Sequence, residues 1–172
     1  LGSNLSLTHC VHVDDREMAL LAATHTNVIH CPFAALNGAF GITSAGRFPE
    51  MAASGVNIAL GTDGYAVDQM PLFRLVAAVF KDARQDTKVF PAAEVLAMGT
   101  LNGARAMQLE DEIGALEPGK KADLVLHDTD RPEWQPLLNV VNQLVWSADG
   151  RGVHSVWVDG VRVVDNYRST LI

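Results

Sequence analysis

Three polar residues stand where buried, strand-like segments of the sequence end: His9, His30 and Asp63. Imidazole and carboxylate groups are the ligands and proton carriers of zinc- or iron-dependent hydrolytic sites. In a parallel α/β barrel, catalytic groups lie at the carboxyl ends of the strands, where the loops begin. The three residues are 21 and 33 positions apart, as successive βα units would be. We therefore expect their side chains to converge at the carboxyl-terminal end of such a barrel.

Asp63 is the residue that most needs a cation. It lies between two glycines in the stretch IALGTDGYAVD (58–68), directly after the apolar segment GVNIAL (55–60). An ionised carboxylate at the end of a buried strand is unfavourable unless a positive charge meets it, and a bound metal supplies that charge. The alternative is that Asp63 is a turn residue, which is common for aspartate beside glycine.

The other candidates also have simpler structural interpretations. His9 could be a core histidine, and His30 could hydrogen-bond a loop backbone. His12 is an odd number of residues from His9, so it is predicted to face away from the site. Cys10 and Cys31 each neighbour a candidate histidine, and both are interpreted as small buried hydrophobic residues rather than nucleophiles or ligands. Residue types and spacing alone therefore leave the metal site as one of several interpretations.

Strand-like and helical segments alternate along the first part of the chain. This alternation predicts parallel βαβ units rather than a β-sandwich. A glycine-rich loop is expected after the second strand, at 37–46. The predicted strands are 5–13, 27–33 and 56–64, and the predicted helices are 16–24 with a cap at Asp14 or Asp15, a short one ending at Gly55, 70–85 and 91–107.

The pattern becomes β-rich from about residue 113. The segments ADLVLHD (122–128), VNQLVWSA (141–148) and VHSVWVDGVRVV (153–164) are read as strands. The last contains an Asp-Gly pair, which favours a type I′ hairpin turn. We therefore predict two regions, residues 1–112 as barrel units and residues 113–172 as strands of a small β module.

Composition excludes several classes of partner. The net charge is −7, the pI is near 5.2, and Lys and Arg form no run, which argues against nucleic acid. No apolar stretch approaches the ~20 residues that span a bilayer, so no membrane partner is expected. Two cysteines fit a reducing cytoplasm. The chain opens at Leu1 in strand-like sequence without an initiator Met, so we expect it to be the interior of a longer chain.

Several motifs together resemble the amidohydrolase superfamily, in the branch of cytosine, guanine and methylthioadenosine/S-adenosylhomocysteine deaminases and triazine hydrolases. The resemblance covers nearly the whole chain, and the combination of motifs is more specific than any one of them. They are THCVHVDD (8–15), HCPFAALNGAFG (30–41), GRFPEMAASGVNIALGTDG (46–64), LNGARAMQLEDEIGALEPGKKADLVLHD (101–128) and SVWVDGVRVV (155–164).

The resemblance implies a fold and a chemistry. The fold would be the C-terminal part of a (β/α)8 TIM-type barrel, about strands six to eight, followed by strands of a small β-sandwich module. The activity would be hydrolytic deamination of an amino-substituted N-heterocycle of purine, pterin, pyrimidine or triazine type. One divalent metal, zinc in preference to iron, would serve the complete enzyme. A partial barrel would leave open sheet edges and exposed apolar faces, so we expect the chain either to form a homo-oligomer or to be part of a longer chain.

The resemblance also implies a role for each candidate residue. Asp63 matches an aspartate that ligates the metal and takes the proton from water. His9 matches a histidine that hydrogen-bonds the hydrolytic water or the tetrahedral intermediate. His30 lies where relatives shape the substrate pocket. Relatives often continue from this point with Ser-Asn, whereas this chain has Ala34 and Ala35.

The sequence departs from the family pattern in two respects. Asn37 could replace the missing Ser-Asn hydrogen bonds only if its loop is rearranged. Relatives also use a His-x-His pair, a further His and a Glu three residues after it, and neither spacing occurs in these 172 residues. Two alternatives therefore stay open: a catalytically incomplete, metal-free fragment, and a cyclic-amide hydrolase of the same superfamily.

Overall fold

The computed structural model of the chain describes residues 1–64 and 68–171. Residues 65–67 of the stretch 58–68 lie outside this description. None of the helices within the described ranges is long and apolar enough to cross a membrane.

A parallel three-stranded sheet forms the first region. Its strands are β1 (Ser6–Thr8), β2 (Asn27–His30) and β3 (Ile58–Leu60), in the order β1–β2–β3. Both pairings are parallel, which confirms the prediction of βαβ units. The strands are shorter than predicted, and β1 ends at Thr8 because the next two residues have positive φ angles. Closure into a (β/α)8 barrel stays a prediction.

Helices surround the parallel sheet and link it to the second region. The first begins where Asp14 and Glu17 form a capping box, in which each side chain accepts a hydrogen bond from the other residue's backbone N–H. The helices are α1 (Asp15–Ala23), α2 (Pro32–Asn37), α3 (Phe48–Ala53), α4 (Gln69–Arg84), α5 (Ala92–Met98), α6 (Leu101–Ala106) and α7 (Val140–Trp146), with 3-10 turns at Pro132–Trp134 and Gly150–Gly152.

The prediction of one helix over 91–107 is wrong. The segment forms α5 and α6, separated at Gly99 and Thr100, and Thr100 has φ −131° and ψ −93°. A Cβ at position 99 would overlap the ring of Phe73 in α4. The chain therefore passes close to this ring and starts a second short helix after it.

The prediction of a strand at 141–148 is also wrong, since this segment forms α7. The Asn139 side chain caps α7 by accepting a hydrogen bond from the backbone N–H of Asn142. Val145 is fully buried and belongs to the core formed with α4 and α5. Burial of an apolar helix face outweighs the weak strand preference of the two valines in 141–148.

The second region contains an antiparallel sheet in the order β4–β5–β6–β7. Its strands are β4 (Leu124–His127), β5 (Val153–Val158), β6 (Val161–Asp165) and β7 (Arg168–Ser169). Asp159 and Gly160 join β5 to β6, and both have positive φ angles, 49° and 76°. The predicted Asp-Gly hairpin is confirmed. A sandwich arrangement and the boundary near residue 113 stay predictions.

One hydrophobic core fills the space between the parallel sheet and its helices. It includes Phe48, Phe80 and Val76, all fully buried. Two polar contacts tie α4 to the turn after α7: Arg74 donates to the carbonyl of Ala148, and Asp68 accepts from the backbone N–H of Gly150. The helix that follows the candidate site is thus fixed to the second region.

Candidate functional site

The loops after the three parallel strands bring a histidine, a cysteine and an aspartate together. His9 follows β1, Cys31 follows β2 and Asp63 follows β3. One ligand atom from each lies within 4.8 Å of the other two. Nε2 of His9 is 3.6 Å from Oδ2 of Asp63. His9 and Asp63 therefore converge as their spacing predicted. Cys31, which the sequence analysis interpreted as a buried hydrophobic residue, lies beside them.

The backbone around these residues is held in an unusual conformation. His9, Cys10 and Asp63 have φ angles of 72°, 50° and 53°. Non-glycine residues in this region are uncommon, carry strain of order 1–3 kcal/mol, and concentrate at functional sites. Backbone N–H groups extend the sheet to hold them: His9 donates to Ile29 O and Gly61 to His30 O, each at 2.9 Å.

Close approach of strands explains the first glycine of GTDG. A Cβ at position 61 would lie 2.9 Å from Sγ of Cys31 and 2.9 Å from Cγ2 of Ile29. Real Cβ atoms essentially never come this close to other atoms. Gly61 therefore lets β3 end against β2, and the following turn places Asp63 beside His9.

Asp63 is exposed, with 39% of its side chain accessible, and has one local hydrogen bond. Its Oδ1 accepts from the backbone N–H of Gly64 at 2.7 Å, which leaves Oδ2 directed towards His9. Nδ1 of His9 is buried and has no hydrogen-bond partner among the described residues. Nε2 of His9 and Oδ2 of Asp63 thus face each other, while Oδ1 of Asp63 is held by the Gly64 backbone.

Cys31 lies at the start of α2 and is 3% exposed. Burial raises the pKa of its thiol, and the nearby Asp63 carboxylate raises it further. Both cysteines are free thiols. Nitrogen, oxygen and sulfur donors are therefore present at one point, which is a donor set that suits a divalent metal of the zinc type.

His30 lies below this cluster rather than in it. Its residue is 1% exposed, and its ring stacks on Phe48 at 3.8 Å and contacts Phe80 at 5.6 Å between centroids. Burial lowers the pKa of His30 to about 3, with a smaller contribution from His9. Neither ring nitrogen has a partner among the described residues, so the expected bond to a loop backbone is not found there. A direct contact with substrate would require the ring to leave this packing.

The segment after His30 presents apolar rather than polar groups. Ala34 and Ala35 are buried on the inner face of α2. Asn37 is exposed at the end of that helix. Phe40 turns back so that its ring meets the ring of His9 edge-on, with centroids 5.7 Å apart. Positions 34 and 35 thus offer no side-chain hydrogen bond, and Phe40 places an aromatic ring beside His9.

Sequence reasoning missed Cys31 and Phe40 as neighbours of the site. The strand register contains the signal for Cys31, because His30 pairs with Leu60 and the next residue of each strand, Cys31 and Gly61, then lie side by side. Phe40 had no comparable signal, since its position depends on the turn after α2.

The model of the amidohydrolase family matches residues 1–163 of the chain. The chain belongs to this family. A 5-methylthioadenosine/S-adenosylhomocysteine deaminase of Moorella thermoacetica is 44% identical over 156 residues, which are 88% of this amidohydrolase chain and 36% of that relative. A 5'-deoxyadenosine deaminase of Methanosarcina acetivorans is 36% identical over 171 residues, covering 97% and 38% of the two chains.

Solved structures also include a similar deaminase. A zinc-bound adenosine deaminase from Xanthomonas campestris superimposes with a TM-score of 0.92 at 32% identity, covering 99% of this chain and 39% of that one. The chain thus spans less than two fifths of the length of the relatives it matches.

Proposed function

We propose that this chain supplies part of the active site of a hydrolytic deaminase acting on an amino-substituted N-heterocycle of the purine type. The approach of Nε2 of His9 to Oδ2 of Asp63, at 3.6 Å, is the observation that carries this proposal. Deaminases among the relatives support the reaction class. Homo-oligomeric assembly and a cytoplasmic location stay predictions.

The carboxylate of Asp63, beside the imidazole of His9, fits one ligand position of a divalent metal, with zinc as our proposed identity. Asp63 would hold it through its carboxylate, and its Oδ2 is free of other hydrogen bonds among the described residues. A bound zinc ion supplies Lewis acidity, which brings the pKa of water towards neutrality. The zinc-bound adenosine deaminase supports this choice of metal.

In this proposal Asp63 acts as the general base and His9 as a hydrogen-bond donor. Asp63 accepts the proton of the attacking water at Oδ2 as the new C–O bond forms at the ring carbon. His9 donates a hydrogen bond from Nε2 to the developing oxyanion, which stabilises the charge that appears only in the transition state. The proton taken up by Asp63 passes to the amino group, the C–N bond breaks, and ammonia leaves, while the second proton of the water stays on the oxygenated heterocycle.

The third sequence candidate, His30, takes a supporting position in this proposal. Its buried ring packs against Phe48, and its lowered pKa keeps it neutral. Phe40 in turn gives the pocket an aromatic side next to His9. A planar heterocycle suits such a surface, because aromatic rings pack favourably edge-to-face or offset.

A chimera tests the function without requiring the chain to complete the site alone. The matched segment of the Moorella thermoacetica relative is replaced by this chain, and ammonia release from S-adenosylhomocysteine is measured. We expect activity, and we expect Asp63→Asn and His9→Gln each to lower kcat by about 10²–10⁴-fold with a smaller change in KM. His12→Gln, at an exposed position three residues from His9, is the control.

Two results would contradict the proposal. The first is a folded, metal-loaded chimera that releases no ammonia from any of the heterocycle classes considered. The second is a chimera whose activity is unchanged by Asp63→Asn. Absence of both metal and activity would favour the alternative of a catalytically incomplete fragment, and hydrolysis of a cyclic amide instead would favour the other alternative.

A further inference from the structure

The thiol of Cys31 is the one group of the cluster that the proposed deamination leaves unused. Its Sγ belongs to the set of ligand atoms within 4.8 Å of one another, together with His9 and Asp63. Gly61 leaves the space in which this sulfur lies, since any Cβ there would overlap it. The thiol is therefore built into the site by two strand ends rather than placed there by a flexible loop.

The separations suit coordination of one cation by all three side chains. Bond lengths of roughly 2.0–2.3 Å from zinc to N, O and S put donor atoms roughly 3.3–3.7 Å apart in a tetrahedral site. The His9–Asp63 distance of 3.6 Å already has this value. The remaining separations, of up to 4.8 Å, would have to shorten by about 1 Å on coordination.

The sulfur of Cys31 changes which cations the three side chains prefer to bind. Thiolate is a soft ligand and favours soft metals, whereas an imidazole and carboxylate pair without sulfur shows no such preference. A coordinating thiol loses its proton even where burial disfavours the free thiolate, because the ion's charge dominates locally. On binding, the S–H bond of Cys31 breaks, an S–metal bond forms, and one proton passes to solvent.

We propose that His9, Cys31 and Asp63 form an inhibitory site for thiolate-preferring cations such as Cd²⁺, which shares Asp63 with the hydrolytic metal and differs from it by the Cys31 thiolate. Coordination occupies Nε2 of His9 and the carboxylate of Asp63, so neither can hydrogen-bond an oxyanion or accept a proton. The binding itself depends only on these three side chains, whereas the inhibition rests on the proposed function.

Cadmium titration of the 172-residue chain, stripped with a chelator, tests the binding. The readout is the ultraviolet charge-transfer band of a thiolate–cadmium bond, with circular dichroism to establish that each variant is folded. We expect one equivalent of Cd²⁺ to produce the band in the unmodified chain and in Cys10→Ser, and no band in Cys31→Ser or Cys31→Ala. His9→Gln and Asp63→Asn are expected to weaken binding by at least tenfold.

A band that persists in Cys31→Ser, or that is lost in Cys10→Ser, overturns the assignment of the sulfur. Affinity unaffected by both His9→Gln and Asp63→Asn overturns the three-ligand site, since a lone thiol would then explain the band. If the isolated chain is unfolded, the same titration on the folded chimera, compared with its Cys31→Ser form, decides the question.

Inhibition is tested in the chimera, with each variant compared with its own activity before cadmium is added. We expect Cys31→Ser to raise the Cd²⁺ concentration for half-inhibition by at least tenfold, and Cys10→Ser to leave it unchanged. Equal inhibition of all three forms overturns the inhibitory role. An inactive chimera that still shows the Cys31-dependent band refutes the deaminase proposal while leaving the metal site in place.

Discussion

Replacement of Gly61 by alanine probes whether close approach of β2 and β3, rather than a turn, requires this glycine. The added Cβ would lie 2.9 Å from both Sγ of Cys31 and Cγ2 of Ile29. Both neighbours lie on β2 or directly after it, so β3 must move away from the sheet or the two side chains must shift. Overpacking of this kind typically lowers the free energy of unfolding by about 1–3 kcal/mol.

A smaller opposing effect comes from the unfolded chain. Alanine restricts the unfolded backbone more than glycine does and so stabilises by about 0.4–1 kcal/mol where its native conformation is unstrained. Gly61 does not have a positive φ, so this gain applies. We therefore expect Gly61→Ala to lower the free energy of unfolding by about 1–2 kcal/mol, measured by urea denaturation.

Gly103→Ala is the matched control for this change. Its Cβ would have no neighbour closer than 4.0 Å, and the position lies inside α6. We expect this variant to stabilise the chain by about 0.5–1 kcal/mol through helix propensity. The double variant Gly61→Ala/Cys31→Ala should lose less stability than the two single changes added together, since removal of Sγ relieves one of the overlaps. Equal stabilisation by Gly61→Ala and Gly103→Ala would refute the close-approach argument.

Three further changes test a close approach between helices, a helix cap and the buried His30. Gly99→Ala should lower the free energy of unfolding by about 1–3 kcal/mol in urea denaturation, because its Cβ would overlap the Phe73 ring; an unchanged midpoint would contradict this. Asn139→Ala should lower the free energy of unfolding by about 1 kcal/mol through loss of the α7 cap, whereas Asn139→Ser, which can still cap the helix, should lower it much less. The buried His30 has its pKa lowered from 6.5 to about 3, so the unfolded chain binds the extra proton and stability falls as the pH drops below 6.5. For the metal-free chain, we expect about 2 kcal/mol of this loss between pH 6.5 and 5, and its absence in His30→Phe, from urea denaturation at both pH values; the same loss in both proteins would show that His30 is not responsible.

Local patterns were sufficient for the elements whose cause is local. The capping box of α1 and the Asp-Gly turn between β5 and β6 depend on residues within three positions of each other. The break at Gly99 and the helix over Val140–Trp146 depend instead on distant groups, namely the Phe73 ring and the core that receives Val145. No window of the sequence contains both partners of such contacts, which is why these two predictions failed.

Some residues of the candidate site could likewise be predicted from local patterns, whereas others depend on distant contacts. Placing His9 and Asp63 at strand ends required only the alternation of strands and helices, and the two side chains do meet. The location of His30 depended on its stacking against Phe48, eighteen positions later in the chain, which the strand pattern does not reveal. Cys31 required the pairing register of β2 with β3. Convergence was therefore predictable, whereas the identity of all its members was not.

The middle strand determines the relative positions of the two proposed catalytic groups. His9 is held through its backbone N–H to Ile29 O, and the turn that bears Asp63 is held through the N–H of Gly61 to His30 O. The two acceptors are consecutive carbonyl groups of β2. The distance between His9 and Asp63 therefore depends on this one strand and on the turns that follow β1 and β3. Changes that separate β3 from β2, such as Gly61→Ala, should therefore alter this pair before they alter the pairing of β1 with β2.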